Sequence, residues 1–387
     1  MKSTNLLFVI HQIGAGSDGG LTSIGEILAR ASIGSLRVIT NQASPFADEW
    51  KRRAAVQVWP MSEGGYGESR QILKRLVRRL INNVRAFSEV RRNGVRVVHL
   101  NDHCALWNTA FGAKLAGAKL ILNVRDGMRD GASVSRWRFY LSMSDCFLVL
   151  SSDMEAHWRE KLAPLDKRQL IKFRHVYSVV DDSKFYPLVV EERNALRERL
   201  GLERGRPVLV YVGRFDEKKA QLAFIRESLP LIARERPDAL ICFVGDFRPE
   251  RDGYAARCLE TVNALGLTNQ VRFVGYTREM AYWYQAADLI LLASMREGMA
   301  RCMIEGICCA TPMVSFSVCS AREILEKHEC GIVVSLGDHL GFAKAVISIL
   351  KDEVTRAEMA RRGGSLAHLF SPTRNSQAYA DLIAELL

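Results

Sequence analysis

The chain has 387 residues, 54 Lys and Arg against 43 Asp and Glu, and 48% hydrophobic residues. That length accommodates two domains of ordinary size, and the composition is that of a globular chain, not a disordered or fibrous one. No apolar run approaches the roughly 18–20 residues that span a bilayer, and the nine cysteines form no C-x-x-C pair, so neither a zinc site nor a disulfide framework is indicated.

The surplus charge is uneven. Residues 1–189 hold 28 basic and 17 acidic residues, whereas residues 190–387 hold 26 of each. Such asymmetry points to an anionic partner for the first half: a membrane surface, an acidic substrate or nucleic acid. Leu6–Ile10 is too short for a signal-peptide core and lacks a small-residue cleavage site after it, so the chain is expected in the cytoplasm.

In chain order, β-rich runs alternate with stretches of helical spacing. The first half predicts strands at Leu6–Ile10, Leu36–Thr40, Val56–Trp59, Val95–Leu100, Lys119–Asn123 and Cys146–Leu150. The second predicts Pro207–Val212, Ala239–Val244, Val271–Val274, Leu289–Leu292, Pro312–Ser315 and Gly331–Val334. Strand–helix alternation implies parallel sheets with helices on both faces, and two sets of strands imply two such domains. A polar, Pro-terminated stretch, Val179 to Pro187, marks the boundary, and Ser371-Pro372 opens a last helix with Pro in its first turn. The expected division is 1–187, 188–370 and a terminal helix, 371–387.

The first strand runs into Gly14-Ala15-Gly16-Ser17-Asp18-Gly19, which fits the G-x-G-x-x-G dinucleotide fingerprint. An NAD site also wants an acid closing the second strand, for the ribose hydroxyls. Here that strand ends at Thr40 and Asn41 follows, with no carboxylate before Asp48. A plain tight turn stays open, as does a different phosphate or sugar contact in which Gly19-Gly20 admits backbone N–H groups to an anion.

Residues 70–92 place Leu73, Leu76, Val77, Leu80, Ile81, Val84 and Phe87 on one helical face. Eight basic residues on the same stretch face one acid, Glu89. The expectation is a helix whose apolar stripe packs into the core and whose basic back meets anionic lipid. Nucleic acid is the rival partner, but no aromatic-stacking or zinc motif supports it.

The densest signals lie in the second half. Val208–Val212 ends in Gly213-Arg214, with Lys219 five residues after the arginine. Leu289–Leu292 leads to a loop bearing Glu297-Gly298-Met299-Ala300, then a helix bearing Glu305, then Thr311-Pro312-Met313-Val314. With Val274-Gly275-Tyr276 and Ala287-Asp288, these motifs resemble the retaining GT-B glycosyltransferases of family 4 (glycosyltransferase group 1). The resemblance covers most of the chain and is densest from 207 to 335.

That resemblance implies an α/β GT-B fold: two Rossmann-like, doubly wound parallel-sheet domains facing a central cleft, the first for the acceptor and the second for the nucleotide sugar. It implies transfer from a UDP- or GDP-linked sugar to a carbohydrate or lipid-linked acceptor with retention, in cell-surface polysaccharide or glycolipid synthesis. Arg214 and Lys219 would clamp the diphosphate and stabilise the leaving group in place of a metal, so no metal or other cofactor is expected. Glu305 would accept the ribose hydroxyls and Glu297 a sugar hydroxyl. Gly213, Gly298, Met299 and Ala300 would line the donor, with N–H groups of the helix beginning near Met299 aimed at its oxygens. Gly19 and Gly20 match the family's first-loop glycines. His99-Leu100-Asn101-Asp102 resembles its His-x-His-Asp segment, with Asn101 where the sugar-touching histidine stands and His103 beside it. An asparagine there hydrogen-bonds but carries no proton at neutral pH. Relatives have Gly at Ala220 and an aromatic-glycine pair at Met299-Ala300. Peripheral contact with the inner face of the cytoplasmic membrane would bring the acceptor within reach. Two other activities stay open: an NAD(P)-dependent oxidoreductase using the Gly14–Gly19 turn, and a nucleotide-sugar epimerase or hydrolase on the same fold.

Overall fold

The computed structural model describes residues 4–12, 19–62, 69–128 and 131–387. Gly14, Gly16 and Asp18 of the glycine turn lie outside the described residues. The chain divides into two compact units: Met1–Val179 with Pro372–Leu387, and Val180–Ser371.

Among the described residues, the first unit holds seven parallel strands, β1 (Asn5–Ile10), β2 (Leu36–Thr40), β3 (Ala55–Val58), β4 (Val95–Leu100), β5 (Lys119–Asn123), β6 (Cys146–Val149) and β7 (Phe173–His175), in the order β3-β2-β1-β4-β5-β6-β7. Six match predicted runs. Parallel strands covered on both faces read as continuous apolar stretches, which is why Leu6–Ile10 and Leu120–Leu122 stood out and are now fully buried. β7 was missed because it has three residues, of which Arg174 and His175 are exposed at the sheet edge. Leu6, Phe8, Ile10, Val97, Ile121 and Leu148 form the core with Leu21, Ile24 and Leu28 of helix Gly19–Arg30. Tyr379, Leu382 and Ile383 of helix Pro372–Leu386 complete that core.

Helix Ser69–Arg92 corrects one expectation: its apolar stripe does not pack into the core. Leu73, Leu76, Val77, Leu80, Ile81 and Val84 are all exposed, while Asn82, Ala86 and Val90 are buried. The cause is a buried polar network. Asn82 Nδ2 donates to the Pro60 carbonyl at 3.0 Å and to Asn108 Oδ1 at 3.2 Å, and the Ser62 amide donates to the same Asn108 oxygen at 3.2 Å. Arg79 Nε donates to Ser62 Oγ at 2.9 Å, and the Gly112 amide to Asn83 Oδ1 at 2.9 Å. A Cβ at Gly112 would fall 1.8 Å from the Asn83 carbonyl oxygen, so glycine permits this close approach of helix His103–Leu115. Buried amides must be paired, and this pairing fixes which face turns inward.

The second unit holds β8 (Val208–Val212), β9 (Leu240–Val244), β10 (Val271–Gly275), β11 (Leu289–Leu292), β12 (Met313–Phe316) and β13 (Gly331–Val334), all parallel, in the order β10-β9-β8-β11-β12-β13. All six match predicted runs. Tyr211, Phe224, Phe243, Phe316 and Phe342 dominate the core. Asp288, just ahead of β11, fastens helix Val190–Arg199 to the sheet. Its Oδ1 lies 2.7 Å from Arg193 Nη2 and its Oδ2 2.6 Å from Arg197 Nη2, and the Val208 amide donates to Oδ2 at 2.8 Å. Burial pushes the Asp288 carboxyl up, but the two guanidiniums outweigh it and hold it below the usual carboxylate range.

In both sheets the strand order reverses once, between β1 and β4 and between β8 and β11. In open parallel sheets ligands bind beyond the carboxyl ends of the strands at such a reversal.

Candidate active site

The second reversal gathers most of the acidic and basic residues singled out in the sequence. β8 leads directly into Gly213, Arg214 and the turn to Lys219, and β11 leads into the loop carrying Glu297. The Met295 amide donates to the Lys218 carbonyl at 2.9 Å, which ties the two loops together. Lys219 Nζ then lies 2.7 Å from Glu297 Oε1, and Lys218 Nζ 3.7 Å from Oε2.

The lysine is held along its length. Its amide donates to Asp216 Oδ1 at 2.9 Å, and the Tyr211 hydroxyl donates to its carbonyl. A Cβ at Gly213 would lie 3.0–3.2 Å from the Lys219 methylenes, so glycine leaves the stem its passage. The turn closes through Ala220, which adopts φ 55 and ψ 29. This left-handed conformation is the one glycine favours.

Burial pulls the Lys219 ammonium down, but the Glu297 carboxylate more than compensates and raises it above the ordinary lysine value. For Glu297, burial pushes up, and Lys219 and Lys218 hold it below the ordinary value. The pair is therefore ionised at neutral pH.

Glu305 sits on helix Arg301–Cys308 with both oxygens engaged. Oε1 accepts from Arg301 Nε at 2.9 Å and Nη2 at 2.6 Å, and Oε2 accepts from the Tyr284 hydroxyl at 3.0 Å. Cys302 joins the two halves. Burial drives its thiol up to about 12, with Lys219 opposing and both Glu297 and Glu305 adding to the rise. Lys219, Glu297 and Glu305 thus share one electrostatic neighbourhood.

Arg214 stands apart from that neighbourhood, with its side chain 84% exposed and Nη2 3.6 Å from Asp216 Oδ2. The helix begins at Arg301, not Met299. Ala300 is its N-cap without a side-chain cap, so the first-turn N–H groups receive no side-chain cap. Met299 and Ala300 are buried, and the Gly298 carbonyl accepts from Ser320 Oγ at 2.8 Å. Sequence reasoning missed Tyr284 and Arg301. The four-residue spacing of Arg301 and Glu305 was a usable signal, whereas nothing in the sequence pairs Tyr284 with Glu305.

In the first unit, the reversal collects His11 after β1 and Asn101, Asp102 and His103 after β4. Asp102 Oδ1 caps helix His103–Leu115 through the Ala105 amide at 2.7 Å, and Oδ2 lies 3.8 Å from His11 Nδ1. Asn101 is buried. His103 is exposed, with its ring 5.8 Å from Tyr140 and 5.7 Å from Trp137. His99 is fully buried against Tyr379, with Nδ1 2.7 Å from the hydroxyl. Gly19 and Gly20 open helix Gly19–Arg30. A Cβ at Gly20 would fall 0.4 Å from Arg125 Nη2, so this glycine makes room for a guanidinium. Beside them lies a small pocket lined also by Ser23, Asn123 and Ser178. Among the described residues, His11, Asp102 and Cys104 form one group whose ligand atoms lie within 4.8 Å of one another.

Residues 206–352 match the family model described as Glycosyl transferases group 1. The chain is 29% identical over 243 residues to D-inositol 3-phosphate glycosyltransferase 2 of Catenulispora acidiphila, covering 61% of this chain and 55% of that protein. It is 29% identical over 189 residues to the lipopolysaccharide core biosynthesis glycosyltransferase LpsE of Rhizobium meliloti, covering 49% and 53%. The chain thus spans little more than half the length of these two curated relatives. The crystal structure of Anabaena HepE in complex with UDP superimposes with a TM-score of 0.81 at 18% identity, over 99% of this chain and 100% of that one. Two doubly wound parallel sheets and this likeness agree: the chain has the GT-B fold, and its residues 206–352 are similar to the group 1 glycosyltransferases.

Proposed function

We propose that this protein transfers a sugar from a nucleoside diphosphate sugar, UDP- or GDP-linked, to a saccharide or lipid-linked saccharide acceptor, with retention at the anomeric carbon. The observation that carries the reading is the cluster of Lys219, Glu297 and Glu305 beyond β8 and β11. Lys219, aided by Lys218, meets the diphosphate as a point charge and stabilises the charge that develops as the phosphate leaves. Arg214, exposed at the surface, folds onto the same phosphates. Glu297 takes a sugar hydroxyl. Glu305, oriented by Tyr284, takes the ribose hydroxyls once Arg301 swings away.

Both glutamates are held by cations, which leaves neither as a ready nucleophile. Attack on the same face as departure, with the leaving phosphate taking the acceptor proton, is the mechanism that fits. The cations serve in place of a divalent metal, so turnover should survive EDTA; loss of activity that magnesium restores would count against the clamp. Support for the donor class comes from HepE, a fold neighbour solved with UDP. Support for a glycolipid or polysaccharide acceptor comes from relatives such as LpsE. The acceptor would belong to the first unit, brought to it at an anionic membrane by the basic helix Ser69–Arg92.

A thermal-shift screen of UDP, GDP, ADP and NAD tests the reading, followed by transfer assays with the matching sugar nucleotides. Stabilisation by UDP or GDP and loss of transfer in Glu305→Ala are expected. Stabilisation by NAD alone, turnover without any acceptor, or full transfer in Glu305→Ala would overturn it.

A further inference from the structure

The face that helix Ser69–Arg92 turns outward is its apolar one. Leu73 and Leu80 are 65% and 67% exposed, and Ile72, Leu76, Val77, Ile81 and Val84 are each about half exposed. Helix His103–Leu115, packed against it, adds exposed Phe111 and Leu115. A monomer rarely leaves such a contiguous apolar surface to water.

The stripe is flanked by cations. Lys74, Arg78, Arg85, Arg91 and Arg92 are exposed, and the single acid, Glu89, is paired with Arg37. This combination selects among occupants. Two copies packed face to face would bring their cations together, and that repulsion disfavours self-association. An anionic bilayer accepts both parts at once, with aliphatics below the headgroups and cations among the phosphates.

We propose that helix Ser69–Arg92 inserts this stripe into the interfacial layer of an anionic membrane, lying parallel to its plane. This goes beyond the basic attraction expected from sequence. There the apolar stripe was core and lipid binding was electrostatic; here the polar network of Asn82, Asn83 and Asn108 occupies the inside, and the aliphatics are the membrane contact. The inference does not depend on which sugar, or whether any sugar, is transferred.

The full chain is sedimented with phosphatidylglycerol-containing vesicles and with pure phosphatidylcholine vesicles, at low and high salt. Expected is binding to the anionic vesicles that weakens but persists at high salt, since insertion is not screened as exposed charges are. Leu76→Glu/Leu80→Glu, on the exposed face, should bind about tenfold or more weakly with an unchanged melting temperature. Leu80→Trp should show a blue-shifted emission on adding anionic vesicles. Failure to sediment, unaltered binding of the glutamate variant, complete release by salt, or an unshifted tryptophan overturns the proposal. So does a dimer in sedimentation velocity that the glutamate variant dissociates, because a second copy would then be the occupant.

Discussion

Lys219 and Glu297, 78 positions apart in sequence, meet through Nζ and Oε1 at 2.7 Å across the ends of two adjacent strands. The contact gives a buried ion pair in which each partner stabilises the charged form of the other. Removing Lys219 leaves the buried Glu297 carboxylate with only the longer 3.7 Å contact to Lys218, whereas removing both partners leaves no such under-compensated carboxylate. Lys219→Met should therefore destabilise by about 3 kcal/mol, and Lys219→Met/Glu297→Gln should recover much of that loss. A double-mutant cycle by urea unfolding measures it. Sugar transfer should be lost in both variants.

The same pair sets a pH window. Glu297 sits below its ordinary value of 4.5, so its contribution is complete above that value and is lost as pH falls through the lower folded one. Lys219 sits above its ordinary value of 10.5, so its contribution is complete below that value and fades as pH rises through the higher folded one. The coupling energy should be flat from about pH 5 to 10. A coupling that changes steadily between pH 6 and 8 would contradict the assignment.

Tyr284 is a positioning residue for Glu305. Tyr284→Phe deletes the donor to a buried carboxylate oxygen at a cost of about 2 kcal/mol. Left with Arg301 alone, Glu305 should swing toward its helix neighbour. Nucleotide affinity should then fall while kcat at saturation changes little. Isothermal titration with UDP or GDP, beside initial rates, separates the two effects.

His99 should give the first unit an acid-sensitive component. Burial, helped by Arg125, lowers its imidazole from 6.5 to about 3. The unfolded chain takes up that proton as pH falls below 6.5, but the folded chain does not. Stability from this group is therefore level above 6.5 and declines by about 1.4 kcal/mol per pH unit below it. His99→Gln loses the Tyr379 bond and is weaker at pH 7, yet its decline from pH 6.5 to 5 should be about 2 kcal/mol smaller than that of the parent. Urea titrations at both pH values decide it.

Ala220 holds a left-handed conformation that costs a Cβ-bearing residue about 1 kcal/mol. Ala220→Gly relieves that cost but adds freedom to the unfolded chain, for a net gain of up to about 1 kcal/mol. Ala220→Val should lose more than the glycine variant gains. Melting temperatures of the three proteins check the order.

Strands were legible where burial on both faces made them continuous, as at Leu289–Leu292, and illegible at Phe173–His175, where an edge exposes two of three residues. Lys219, Glu297 and Glu305 could be read as a constellation because each follows a strand at fixed spacing. The bonds of Glu305 to Tyr284 and Arg301 could not, since tertiary packing alone brings Tyr284 to it. Periodicity showed that helix Ser69–Arg92 has an apolar face but not which way it turns. Three asparagines settled that, and no hydrophobic pattern weighs their need for buried partners.

Helix Pro372–Leu386 belongs to the first unit although the whole second unit precedes it in the chain. On the ribosome, the residues that complete the core around Leu6 and Phe8 emerge only after the whole second unit. A nascent chain released to about residue 370 can close its later unit while the earlier one still lacks Tyr379, Leu382 and Ile383. Synthesis usually lets the amino-terminal domain finish first; in this topology the order is inverted, and a truncated transcript would deprive the first-made half of its own final layer.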